Sequence, residues 1–226
     1  MPSATLAQRV RLAIFEQFRA RGAPPVIEEL MVEFSISRDE ALATLRDLRD
    51  ARHLALVPGT GRILMAFPFS AIATPFRVAA PTGRWFANCA WDAVAFHTML
   101  RTDIDIDSHC HHCAQRIRIE LRDGRATVVE PEAAIIYLAL PPTRWWDDIV
   151  TTCSNTMVFF AGPDHRDASD LCGPADQSVS LTPDEVHALS GPIYDTKFAI
   201  DYARPSRDEL LAHFDRLGFT GPYWAI

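Results

Sequence analysis

The feature that most constrains this chain is the order of signals in its first 66 residues. Between Thr5 and Arg21 the residues Leu6, Val10, Ile14 and Phe18 recur every four positions, one apolar face of an amphipathic helix, and Gly22 supplies its stop. Pro24-Pro25 opens a new element, and Val26 to Phe34 reads as a short second helix. Ser37 and Glu40 have capping-box spacing for a third, running to about Arg52 with Ala41, Leu45 and Leu48 inward. Leu54-Ala55-Leu56-Val57 and Ile63-Leu64-Met65-Ala66 then flank Pro58-Gly59-Thr60-Gly61, a β-hairpin pattern. Three helices and a hairpin in that order predict a winged-helix-like domain over residues 1–66.

The signals then change. Residues 67–84 mix prolines with one short apolar stretch and a Thr-Gly turn, as a linker into a second domain would. From Trp85 to His97 the chain suits a buried helix. Arg116-Ile117-Arg118-Ile119-Glu120-Leu121 alternates strictly, Asp123-Gly124 makes a turn, and Thr127–Glu130 returns as a strand. Ala134–Leu140 is a further strand ending at Pro141-Pro142; residues 145–152 read as helical, and Met157–Phe160 as a strand or a buried helical turn. Thr182 caps a helix and Ser206, with Glu209, caps the last. Antiparallel strands mixed with helices predict an α+β domain over residues 85–226. The apolar tail from Thr220 to Ile226 suits a lid, a homodimer contact or a tucked core strand.

Composition narrows the partners. Of 226 residues 48% are apolar and 23% charged, the balance of a globular chain, and the net charge is −7. Over residues 1–66 nine arginines face eight acidic residues, and the third helix carries Asp39, Glu40, Asp47 and Asp50. A helix that docks on DNA must neutralise phosphates, so DNA is not an expected partner. No uninterrupted apolar window of about 18 residues occurs, which argues against a membrane span. Arginines interrupt the apolar residues from Leu6 to Ile14, unlike a secretory signal, so a cytoplasmic location is expected.

Five cysteines, an odd number unevenly spaced, fit reactive or metal-binding thiols better than a disulfide framework. In Cys89-Ala90-Trp91-Asp92 a thiol and a carboxylate lie three residues apart, on one face if the segment is helical. Such a pair can hold a soft metal and move a proton, although a buried cysteine packing as a small hydrophobe gives the same spacing. Cys110-His111-His112-Cys113 is half of a zinc signature, so a structural zinc there would need partners from Cys172, a histidine or an acidic side chain far along the chain. Cys153 sits at the edge of an apolar run, after Trp145-Trp146, which read as packing residues, and Asp147-Asp148. Asp164–Asp167 reads as a solvated turn. The chain has no G-x-S-x-G, glycine-rich phosphate loop or H-E-x-x-H.

Taken in order, these features resemble the organomercurial (alkylmercury) lyase family. The winged-helix-like unit is followed by Cys89 to Asp92, then by Asp107-Ser108-His109-Cys110, similar to the segment carrying that family's additional cysteine, and then by Cys153 ahead of Phe159-Phe160-Ala161. The likeness covers most of the chain to about residue 161 and is strongest over 67–113 and 143–161. It implies an α+β domain of the alkylmercury lyase type that cleaves carbon–mercury bonds without an organic cofactor. In it Cys89 and Cys153 would hold mercury, with Hg(II) as product, and Asp92 would relay a proton to the departing carbon. It also implies a small organometallic substrate, and cellular thiols or a mercury-accepting protein to remove the metal. Two other readings stay open on the residues alone: a non-catalytic zinc-, copper- or mercury-binding or sensing protein, and a winged-helix regulator with a ligand-sensing domain. The register also leaves open whether Cys153 or Ser154 faces Cys89 and Asp92.

Overall fold

The computed structural model describes residues 4–174 and 176–225. Helices α1 (Leu6–Arg21), α2 (Ile27–Phe34) and α3 (Arg38–Asp50) come first. Thr5 and Ser37 close capping boxes on α1 and α3, and Gly22 ends α1 in the left-handed region at φ 72°. The expected hairpin follows as β1 (Leu54–Leu56) and β2 (Ile63–Ala66), to which β3 (Phe69–Ser70) adds a third antiparallel strand.

The stretch 67–84 is not a linker. It holds β3, β4 (Arg77–Ala80) and the start of β5 (Gly83–Phe86), with Phe69, Phe76 and Val78 buried. Its prolines, Pro68, Pro75 and Pro81, stand between these strands and so remove no ladder donor. Nor does a helix start at Trp85: β5 extends through Phe86, and α4 (Ala90–Leu100) begins only after Cys89.

Strands β6 (Ile104–His109), β7 (Arg116–Arg122) and β8 (Arg125–Glu130) complete a five-stranded antiparallel sheet in the order β5-β4-β6-β7-β8. Along β7 the alternation works as its spacing predicts. Ile117, Ile119 and Leu121 are fully buried, while Arg118 and Arg122 pair with Glu120 on the other face. Asp123 at φ 50° and Gly124 at φ 78° form the two-residue turn to β8, a backbone conformation that the Asp-Gly pair accepts readily.

A second antiparallel sheet, β10-β9-β11, is built from β9 (Ile135–Leu138), β10 (Met157–Phe160) and β11 (Val179–Leu181). Between β9 and β10 the residues 145–152, expected as a helix, hold only one short helix, α5 (Ile149–Thr151), followed by a wide π-type turn from Thr152 to Thr156. Beyond β10 come α6 (Pro163–Asp167), where a solvated turn was expected, then α7 (Pro183–Tyr194) and α8 (Arg207–Arg216). The cap expected at Thr182 and the capping box expected at Ser206 with Glu209 are both formed, and Thr182 also closes a box with Glu185.

Helix α4 is apolar on all sides and buried on all sides, packed against α7, β4, β6 and β10. One core runs through the whole fold. Phe69 stacks on Phe18 of α1 at 5.1 Å and meets Phe96 of α4 edge-on at 5.0 Å, while the Trp85 indole donates to the Phe18 carbonyl at 2.8 Å. The helices of the N-terminal unit pack on one another, and through α1 their core is continuous with that around β3, β5 and α4. The C-terminal tail tucks in as a single turn, Pro222–Trp224, not as a strand; Trp224 packs on Phe214 and Phe219, and the Tyr223 hydroxyl donates to the Leu140 carbonyl at 2.9 Å. Ile226 lies outside the described residues. Among the described residues no helix is long and apolar enough to cross a membrane.

Candidate active site

Cys89 lies at the N-cap of α4, not within it. Its backbone is extended, at φ −154° and ψ 177°, and its sulfur accepts the Asp92 backbone N–H at 3.3 Å. The cap and the third helical residue are thereby held side by side, as in other N-caps, with sulfur replacing the usual oxygen. So thiol and carboxylate meet through capping geometry rather than as neighbours on a helical face. The 87–89 segment is pinned from below, because the Asn88 side-chain amide donates to the Pro68 carbonyl at 3.0 Å.

Cys153 arrives from the π-type turn between α5 and β10. A π-type turn takes one more residue than an α turn, and here that shift sets which residue points inward. Cys153 is 3% exposed, whereas Ser154 is exposed to solvent. The two sulfurs and an Asp92 carboxylate oxygen lie within 4.8 Å of one another, with Cys89 1% and Asp92 2% exposed.

The hydrogen bonds around Asp92 define the chemistry available. One oxygen accepts a short hydrogen bond from the Tyr194 hydroxyl, at the end of α7, and the other accepts from the Asn88 amide at 3.0 Å. Burial pushes the Asp92 carboxyl above its ordinary range, although Tyr194, Asn88 and the charge of Lys197 pull the other way. Burial also drives the Cys89 thiol well up, and its hydrogen bond to Cys153 keeps its proton in place. That hydrogen bond lowers Cys153, while burial and the Asp92 charge raise it to a smaller net rise. Both thiols are thus pushed above the ordinary cysteine range. Tyr194 is pushed well up by burial and by Asp92, so its hydroxyl remains a donor.

Behind the carboxylate sits Lys197, 1% exposed, its ammonium without a hydrogen-bond partner among the described residues. It lies over the rings of Tyr202 at 4.8 Å, Tyr194 at 5.3 Å and Phe15 at 5.4 Å. Burial, then the neighbouring Arg204, holds it well below the usual lysine range. In front of the sulfurs is a cavity of about 40 Å³, walled by Trp91, Trp145, Trp146, Ile193 and Arg204. The guanidiniums of Arg52 and Arg204 both lie over the Trp146 ring, at 5.1 and 5.0 Å, and Trp145 meets Trp91 edge-on at 5.7 Å. The tryptophan pair forms the wall of a narrow, largely apolar slot.

The remaining cysteines divide. Cys110 and Cys113 meet His165 of α6, their three donor atoms within 4.8 Å of one another, whereas exposed Cys172 lies apart, its sulfur 4.0 Å from Asp167. Sequence spacing did not single out Asn88, Tyr194, Lys197 or Arg204. Tyr194 is 102 residues from Asp92, and no local signal joins them.

The fold and site together define an α+β protein with a buried dithiol–carboxylate pocket at a helix N-cap. Comparison with known proteins makes the class specific: the profile of the alkylmercury lyase family, MerB, matches residues 69–195, more than half of the chain, and the chain belongs to that family. The match runs through α7 and so beyond residue 161, where the resemblance in the sequence faded. An alkylmercury lyase of Staphylococcus epidermidis is 24% identical over 147 residues, 64% of this chain and 63% of that protein. One of Bacillus cereus is 24% identical over the same length, 65% of this chain and 64% of that protein. The aligned part thus spans somewhat under two thirds of these relatives. A crystal structure of the mercury-bound form of MerB2 shares the fold, with a TM-score of 0.67 at 18% identity over 85% of this chain and 91% of that one.

Proposed function

We propose that this protein is an organomercurial lyase, releasing hydrocarbon from small alkyl- or arylmercury compounds by protonolysis. The observation that carries the reading is the convergence of Cys89, Cys153 and Asp92 within 4.8 Å in a buried pocket. Mercury is soft and favours thiolates, and a carbanion-like leaving group needs a proton held beside it away from water.

The steps balance without an external oxidant or reductant. The Cys153 sulfur bonds to mercury as the substrate's exchangeable thiolate ligand leaves, and the departing ligand carries off the Cys153 proton as a free thiol. Asp92 takes the Cys89 proton, and the Cys89 sulfur adds to the same mercury. The protonated Asp92 then gives that proton to the carbon; the carbon–mercury bond breaks, hydrocarbon departs, and mercury stays as a neutral bis-thiolate. A carboxyl raised above its ordinary range suits this relay, because it holds a proton more firmly than an exposed aspartate yet remains a stronger acid than the hydrocarbon formed. Tyr194 and Asn88 fix the carboxylate's direction throughout. No organic cofactor takes part. Small thiols, or a protein with a paired-thiol site, would remove mercury by ligand exchange.

The test is to incubate the reduced protein with phenylmercury and excess thiol and to measure benzene. Release above the thiol-only control, lost in Cys153→Ser and in Cys89→Ser, supports the reading. Tight one-to-one mercury binding with no benzene would instead establish a non-catalytic soft-metal protein on this fold.

A further inference from the structure

We infer that Cys110, Cys113 and His165 form a zinc site, distinct from the dithiol pocket, that fastens the turn after β6 and helix α6 to the far end of β10. The turn is already shaped for a metal. The Cys110 N–H donates to the Gln115 carbonyl at 2.8 Å, the Ala114 N–H returns to the Cys110 carbonyl at 2.9 Å, and Ala114 takes φ 59° to close the loop. The His111 N–H donates to the Phe159 carbonyl at 2.9 Å, which docks the turn on β10. The Cys110 side chain is buried against this turn.

The third donor comes from a different element. His165 lies in α6, which starts immediately beyond β10, and its ring reaches both sulfurs to within 4.8 Å. A tetrahedral zinc with Zn–S near 2.3 Å and Zn–N near 2.0 Å sets its ligands roughly 3.5–3.8 Å apart, so the three donors need close by only about 1 Å. Two thiolates and one imidazole are a zinc donor set, and Cys113 is exposed, which leaves the fourth position to solvent. Cys153 lies just before β10 and His165 just after it, with the four-residue strand between the two thiol clusters. The site is therefore a staple on the strand that follows Cys153, independent of the chemistry proposed for Cys89 and Cys153.

Full-length protein purified in reductant, without chelator or added metal, is analysed for zinc. About one equivalent is expected in the wild type and in Cys89→Ser, and a few tenths or less in Cys113→Ser and in His165→Gln. Cobalt supplied in place of zinc should give a thiolate-to-metal charge-transfer band that survives Cys89→Ser and disappears in Cys113→Ser. A folded, metal-free wild type with no cobalt band overturns the inference. So does zinc that is lost in Cys89→Ser and retained in Cys113→Ser, or a Cys110–Cys113 disulfide in protein kept in reductant. None of these outcomes depends on benzene release.

Discussion

Replacing Tyr194 by Phe isolates the effect of one hydroxyl on Asp92. The ring stays, its contacts with Lys197 stay, and only the donor to the carboxylate is removed. A hydrogen bond to a charged group contributes about 1.5–3 kcal/mol, so losing this donor should push Asp92 further up in the variant. The sign for stability follows from the raised pKa. The folded chain holds this proton more tightly than the unfolded chain, so the Asp92 contribution is greatest below the ordinary carboxylate range and declines as pH rises toward the folded value. Tyr194→Phe deepens that decline: the variant should be about 1–3 kcal/mol less stable at neutral pH and approach the wild type in acid. Carboxyl-selective ¹³C NMR of Asp92 measures the pKa, and urea unfolding at two pH values measures the stability. An Asp92 that titrates at the same pH in both proteins would refute the assignment of Tyr194 as the group that tunes it. In turnover, the acid limb set by Asp92 should move upward with the NMR value.

Ser154→Ala should leave benzene release within about twofold of the wild type, because Ser154 is exposed to solvent while the neighbouring Cys153 is buried; a large loss would mean that the turn presents Ser154 rather than Cys153. Phe69→Ala, at 0% exposure among Phe15, Phe18, Trp85 and Phe96, should cost about 3–5 kcal/mol in chemical denaturation; a cost below about 1 kcal/mol would mean the N-terminal unit does not share the core. His53 is lowered to about 3 by burial and then by the charges of Lys197, Arg11 and Arg204, so the folded chain binds this proton less tightly than the unfolded chain. Stability present at neutral pH is therefore lost as pH falls from the ordinary 6.5 toward 3, and His53→Gln should lose less between about pH 7 and 4.5 than the wild type does; parallel losses would contradict this.

Elements specified by local chemistry were legible. The caps at Ser37, Thr182 and Ser206 each need only two side chains three residues apart, and the β7 alternation needs only one buried face. Strand β6 was missed although Ile104-Asp105-Ile106-Asp107 alternates in the same way; the dense acidic residues there hid a strand whose outer face pairs with Arg116 and Arg122. The strands within residues 67–84 are hidden in the sequence by their prolines, whose positions between strands emerge only from the pairing of β4 with β5 and β6.

For the site, sequence by itself determined that one thiol and one carboxylate could act together, since Cys89 and Asp92 are three residues apart and their meeting is local. It also supplied Cys110 and Cys113 as a pair. Tertiary structure alone decided the rest. A π-type turn selected Cys153 over Ser154, and α7 brought Tyr194 across 102 residues to Asp92. Helix α6 carried His165 to the second cysteine pair. The physical reason is the same in each case: register and long-range packing depend on how sheets and helices bury their apolar faces against one another, and no short window of sequence contains both sides of that contact.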